Sequence, residues 1–462
     1  MIRRLLARQV SNASRGSGCS REKTRWDVAN LPGRCSARSR LMPLPRGLLL
    51  LAGSLLACSV SAQDVLIRGA TVHTVSAQGT LENADVLLRG GTIAAVGSGI
   101  AAPAGATVIE AKGRALTPSL FAGITALGIE EVSLEPATVD STLAFGAQQP
   151  PAAAQWRPEF DVTLAYNPRS QVIGVNRVEG LTWTVLSPAS VPGGSFVAGQ
   201  GAAVTLDGRY DAVLEGSRSL FVNLGGAQVA LSGGSRAAQY MLLEQAIREA
   251  RSGGVGDPPL LQPAGRETLV RYLAGGRVVF NVERAADIRQ VLAFARRHGM
   301  RPVILGGAEA WVVAAELAAA KAPVVLDALV NLPGSFDDLG ARLDNAARLQ
   351  RAGVVVVFSQ AGLAPHNARK VRQLAGNAVA HGMPWDAALA GLTANPAQVF
   401  GLGASRGRIE AGLAADLVLW DGDPLEVTSA ADQVWIGGKA VSMRSRQTEL
   451  LERYLPQAAA QP

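Results

Sequence analysis

The chain is poor in the residues that hold transition metals. Its 462 residues include four histidines and three cysteines, and aromatic side chains make up only 5%. Cys19, Cys35 and Cys58 all precede Ala62, so a chain cut after that residue has no thiol. Neither a disulfide nor a thiolate metal site can then form in it. Excess positive charge is also missing from the body of the chain. The net charge is +7, but residues 1–46 carry eleven Arg or Lys against Glu22 and Asp27, a local +9, which leaves −2 for the remainder. A body without a basic patch gives no reason to expect nucleic-acid binding.

The N-terminus has the anatomy of an export signal. Arg46 precedes the uncharged run GLLLLAGSLLACSVSA, and Val60 and Ala62 occupy the −3 and −1 positions of a cleavage site. The run is too short to span a bilayer comfortably and reads as a secretory signal peptide cut after Ala62. This predicts a periplasmic or extracellular protein with no membrane span after cleavage. Acylation of Cys58 is a weaker alternative, because Leu56 fits a lipoprotein site poorly. Met42 opens a complete signal on its own, so the signal occupies about 42–62. Residues 1–41, rich in Arg and Ser and without apolar periodicity, read as an extension ahead of the true start; a long n-region is the other reading.

The body of the chain is rich in structure signals. The segments DVLIRGATVHTV, ADVLLRGGTIAAVG and TVIEAKGRALTP alternate apolar and polar positions between glycine turns, and GRIEAGLAADLVLWDGDP and ADQVWIGGKAV repeat that texture near the other end. Residues 63–117 with 403–445 are therefore expected to form a small β-sandwich. Between them, residues 118–402 read as continuous apolar strands alternating with amphipathic helices. The strands are LTPSLFAGI, TWTVLSP, AAVTLDG, SLFVNLGG, RVVFNVE, RPVILGG, APVVLDALV and VVVVFSQ. Strands apolar on both faces imply a parallel sheet covered by helices, and eight of them suit an α/β protein built on a (β/α)₈ TIM-like barrel. A doubly wound open sheet is the competing fold. Residues 446–462 read as a loosely attached tail.

At this point the chain resembles the amidohydrolase superfamily, in particular its imidazolonepropionase-like exported members. The resemblance covers about 63–442. Its most specific part is LTANPAQVFGL followed by GRIEAGLAADLVLWDGDP and VWIGGKAV, from Thr393 through Asp416 to Val441. A second part is NRVEGLTWTVLSP with FVAGQGAAVTLDG. The resemblance implies a barrel inserted into a sandwich, hydrolysis of carbon–nitrogen bonds in cyclic amide or peptide-like substrates, and zinc or another divalent metal held by His-x-His, further His, a Lys or Glu and an Asp. Such a metal lowers the pKa of its bound water, and the Asp takes the proton.

The implied ligands are missing. Where relatives place His-x-His after a Pro-Gly approach, LTPSLFAGITALG puts Ile124 and Ala126, aliphatic groups with no lone pair to offer a cation. Asn281 stands at or near a later histidine, Gly306 and Gly307 end the next strand, and Gln360 stands where the Asp belongs. An amide there cannot act as a general base. His73, His298 and His381 read as structural, the last two at helix ends before glycine. Only His366, after the last strand, lies where function could use it. Glu283, Glu309 and Asp327, with Glu130 and Glu131, leave an oxygen-only Ca²⁺ or Mg²⁺ site conceivable; pairing with arginines such as Arg284 is the plainer reading.

Two functions stay open. The favoured one is a metal-free pseudoenzyme that binds a small molecule or an active paralogue; a homo-oligomer is possible. The other is a hydrolase of non-peptide C–N bonds through a non-standard site. In both, a cleft is expected near Asn281, Glu283, Arg284, Glu309, Gln360 and His366, floored by Ile124 and Ala126. Trp156, Trp183, Trp311 and Trp385 are expected mainly to pack.

Overall fold

The computed structural model describes residues 63–144, 156–253, 259–360 and 364–459. The expected signal peptide, its extension and all three cysteines lie outside the described residues. The described residues fall within one compact unit.

The N-terminal segment forms β1 (Val65–His73), β2 (Thr80–Arg89), β3 (Thr92–Gly97), β4 (Thr107–Glu110) and β5 (Ala115–Pro118). The C-terminal segment adds β15 (Leu417–Trp420), β16 (Ala431–Ile436) and β17 (Lys439–Ala440). All eight join in one hydrogen-bonded sheet, in which β5 pairs with β15 and so ties the two ends of the chain together. β1 follows two irregular steps between Ile67 and Val72, and its first half pairs with β4 while its second pairs with β5. That bend lets the sheet bury a core of its own, including Ile67, Val86, Leu116, Leu417 and Trp435.

The strand that leaves this sheet enters the next one directly. At Ser119 the backbone N–H donates to Asp416 O (2.9 Å) and the hydroxyl meets Thr182 Oγ1 (2.5 Å). Beyond it run β6 (Leu120–Thr125), β7 (Leu181–Leu186), β8 (Val197–Gly201), β9 (Ala203–Thr205), β10 (Ser219–Asn223), β11 (Arg277–Val282), β12 (Arg301–Gly306), β13 (Val324–Leu326) and β14 (Val356–Phe358). β10 to β14 are parallel neighbours, β6 and β7 are parallel, and β8–β9 bridges the two groups: β9 pairs with β7, and β8 with β10. Ile124 N–H donates to Ser359 Oγ (2.9 Å), which brings β6 against the end of β14.

Seven of the eight expected strands run as expected; AAVTLDG does not. It contains β9, which lies antiparallel to β7, with Trp183 opposite Thr205. The cause is the connection. The ten residues 187–196 hold two prolines and two glycines and form no helix. From that loop the chain passes through β8 into β9 with no helical crossover to carry it back to the start of β7, so β9 returns antiparallel from the end at which β7 stops.

The helices α1 (Gln171–Arg177), α2 (Arg236–Ser252), α3 (Pro263–Leu273), α4 (Ala285–His298), α5 (Ala314–Ala319), α6 (Asn345–Arg351), α7 (Val371–Ala380), α8 (Trp385–Leu392) and α9 (Ala394–Val399) intervene. Alternation along the strands sorts side chains into two cores. Leu220, Val222, Phe280, Ile304, Leu326 and Phe358 pack with the helices. Phe121, Trp183, Phe221, Val279, Val303, Val325 and Val357 pack with one another and with Phe400, just after α9. Within the segment expected to be a loosely attached tail lies α10 (Arg446–Ala459), whose Leu451, Tyr454 and Leu455 are exposed.

Candidate functional site at the strand C-termini

The parallel strands end together, and their register decides which side chains become neighbours. Asn223 of β10 is the register partner of Asn281 of β11, and Asn281 is the partner of Leu305 of β12. Asn223 Nδ2 donates to Ser190 Oγ (2.8 Å). Asn281 is half-buried, and its amide has no partner among the described residues. Two residues past the inward-packed Val325 comes Asp327. Burial raises its carboxyl above the usual range, opposed by the hydrogen bond it accepts from Leu329 N (2.9 Å). Two residues past Val357 comes Ser359.

Glu283 and Glu309 are used in a reciprocal clasp between two turns. Glu283 Oε2 accepts from Ala308 N (2.9 Å), Glu309 Oε2 accepts from Ala285 N (3.0 Å), and Glu309 N donates to Glu283 O (3.0 Å). The Glu283 carboxyl lies against Gly306, which has φ +89°, and a Cβ at residue 306 would come 2.1 Å from Oε1. Only glycine suits this position, for both space and backbone. Burial pushes Glu283 up to about 7; Asp338 and Asp337 add repulsion, and the Ala308 N–H opposes them. Arg284 approaches Asp287 (3.8 Å), and Arg236 bridges Asp287 and Asp337. Gln360 Oε1 is buried with no hydrogen-bond partner among the described residues.

The remaining candidates are dispersed. Ile124 is buried among the inner residues of the strands, whereas Ala126 packs with Ile129, Val162 and Leu186 in a separate cluster, so the two do not form one floor. His366 is exposed. His73 stacks on Trp385, His298 pairs with Glu244 (3.0 Å), and His381 contacts Asn377 O (2.8 Å). Glu130 accepts a hydrogen bond from Ser133 (2.6 Å) at the surface. Trp156 and Trp183 are buried, Trp311 donates to Gly340 O (2.8 Å), and Trp385 is half-buried and packs against the main core. The open cavities of 520 and 590 Å³ lie away from the strand ends, one between α2 and α4 and the other beside β1 and α8. Asn223 and Ser359 did not stand out from the sequence. The one sign of them was an Asn at the same place in SLFVNLGG as in RVVFNVE.

Among the described residues no three of His, Cys, Asp and Glu gather closely enough to hold an ion.

The fold is that of the amidohydrolases. The chain superposes on an amidohydrolase from Thermotoga maritima MSB8 with a TM-score of 0.71 and 23% identity, covering 82% of this chain and all of that one. A triazine hydrolase from Arthobacter aurescens aligns with a TM-score of 0.50 and 17% identity, over 86% of this chain and 99% of that one. Residues 366–442 match the model of an amidohydrolase family. The amidohydrolase tasK of Hapsidospora irregularis is 47% identical over 74 residues, which is 16% of this chain and only 8% of that protein.

Proposed function

We propose that this chain is an exported protein of amidohydrolase type in which metal-dependent hydrolysis has been lost. In this reading the strands close into a (β/α)₈ barrel, residues 118–402, set on a sandwich of 63–117 with 403–445. The barrel mouth binds a small polar molecule or an active paralogue. The observation behind it is the donor set: Ile124, Ala126, Asn281 and Gln360 stand where imidazoles and a carboxylate would be needed, and none can supply an anionic or imidazole ligand. Asn281 and Gln360 retain unused hydrogen-bonding capacity, which suits a polar guest in a partly apolar cleft.

One observation favours a second reading. Glu283 and Asp327 are both raised by burial, Glu283 to about 7, and a carboxyl titrating near neutrality, as Glu283 does, is suited to proton transfer. They would serve a hydrolase acting on C–N bonds other than peptide bonds. Metal analysis of the purified mature protein, with a cyclic amide and ureide hydrolysis panel run with and without added zinc, nickel or iron, separates these readings. The expected result is metal far below one per chain and no turnover. A stoichiometric transition metal would overturn the proposal. Metal-free turnover lost in Asp327→Asn would transfer the case to the second reading.

A further inference from the structure

Away from the strand ends, a groove of about 590 Å³ opens between the end of β1, the Lys112–Ala115 turn, the start of α8 and the Asp421–Pro424 segment. One wall is aromatic. Trp385 and His73 pack with ring centroids 4.7 Å apart, and the indole is held by Nε1 donating to both carboxylate oxygens of Asp423 (3.2 and 3.1 Å). His73 Nδ1 meets Thr80 Oγ1 (3.0 Å), and burial lowers the imidazole below its usual range against the pull of Asp386, Asp423 and Glu82. The wall therefore stays uncharged at neutral pH.

The charged groups are unequally committed. Arg114 is spent on Asp432, Glu110 O (3.0 Å) and Ala111 O (2.8 Å). Asp423 also accepts from Leu425 N (2.8 Å), which leaves it little capacity. Among the described residues Asp421 accepts one hydrogen bond, at Oδ1 from Ala430 N (2.7 Å), and its charge also attracts the Arg372 guanidinium, which leaves Oδ2 without a hydrogen bond. Lys112 is exposed and has no hydrogen bond or ion pair among the described residues. Its backbone sits at φ +54°, a left-handed conformation that costs a side-chain-bearing residue on the order of 1 kcal/mol. The groove thus offers one uncommitted cation, one half-committed carboxylate and a fixed aromatic face.

We propose that this groove binds a small zwitterion with a planar or apolar side chain, of the free aromatic amino acid class. The side chain lies against Trp385 and His73, the carboxylate meets Lys112, and the ammonium meets Asp421. Aromatic faces accept both stacking and cationic partners, and a volume of this size accommodates such a ligand. The site is independent of the reading given for the strand ends.

Titration calorimetry on the full mature protein with L-phenylalanine, 3-phenylpropionate and 2-phenylethylamine tests it. L-Phenylalanine is expected to bind one per chain, and each singly charged analogue at least ~10-fold more weakly. Lys112→Asn suits a left-handed backbone and removes the charge; it should erase the preference for phenylalanine over phenylethylamine. Asp421→Asn keeps an oxygen for Ala430 N–H and should erase the preference over phenylpropionate. Both residues are exposed, so folding is not at risk. No saturable heat with the unmodified protein at millimolar ligand, or unchanged preferences in both variants, would overturn the proposal.

Discussion

Gly201→Ala is expected to yield little or no folded protein. A Cβ at residue 201 would stand 1.8 Å from Leu186 O, 2.9 Å from Leu186 C and 3.1 Å from Phe221 Cε2. The first two are backbone atoms, so no rotamer change relieves the overlap. Nor can the backbone easily withdraw, because Leu186 N donates to Ala202 O (2.9 Å) at the same junction. Here β8 passes into β9 and the pairing switches from β10 to β7. Overpacking usually costs about 1–3 kcal/mol, and this contact should exceed about 3 kcal/mol because one of the two sheet connections must open. Urea unfolding midpoints measure the effect. Gly174→Ala is the control: it lies in α1 with nothing within 4 Å of its Cβ, and should stabilise by roughly 0.5–1 kcal/mol. Equal midpoints for Gly201→Ala and the unmodified protein would mean that β8 and β7 do not meet this closely.

The second large effect is a pH dependence carried by Glu283. Its carboxyl titrates near 7 when folded, against an ordinary value of 4.5. Because the folded state holds the proton more tightly, its contribution is fully present below about pH 4.5. It is lost progressively as pH rises towards 7 and stays lost above it. A shift of this size corresponds to about 2–3 kcal/mol once residual solvent access is allowed for. Glu283→Gln keeps an oxygen to accept from Ala308 N–H and never charges. It should match the unmodified protein near pH 4 and exceed it by about 2 kcal/mol at pH 8. Asp327 is also raised, so both proteins will still lose some stability with rising pH; the difference between them isolates Glu283. Parallel stability curves from pH 4 to 8 would rule out the assigned burial.

Much of the architecture was readable because the physics behind it is local. Period-two patterning marked the strands of the terminal segments and continuous apolar runs marked those between residues 118 and 402, while residues 235–253 became α2 between Ser235, whose hydroxyl accepts from Ala238 N (3.2 Å), and Gly253. The orientation of AAVTLDG was missed, since an apolar run looks the same in either direction.

The candidate site divides along the same line. That Ile124 and Ala126 have no lone pair to offer a cation is dictated by residue type, a matter of chemistry that no packing can alter. Which polar groups take their place was decided by tertiary structure. Asn223 meets Asn281 across 58 positions of chain because β10 and β11 pair in that register, and Glu283 becomes a near-neutral acid only when the Gly306–Ala308 turn and Asp337 and Asp338 close around it. Residue type sets what a side chain can do, whereas burial and long-range register set what surrounds it, and those arise only when distant segments pack.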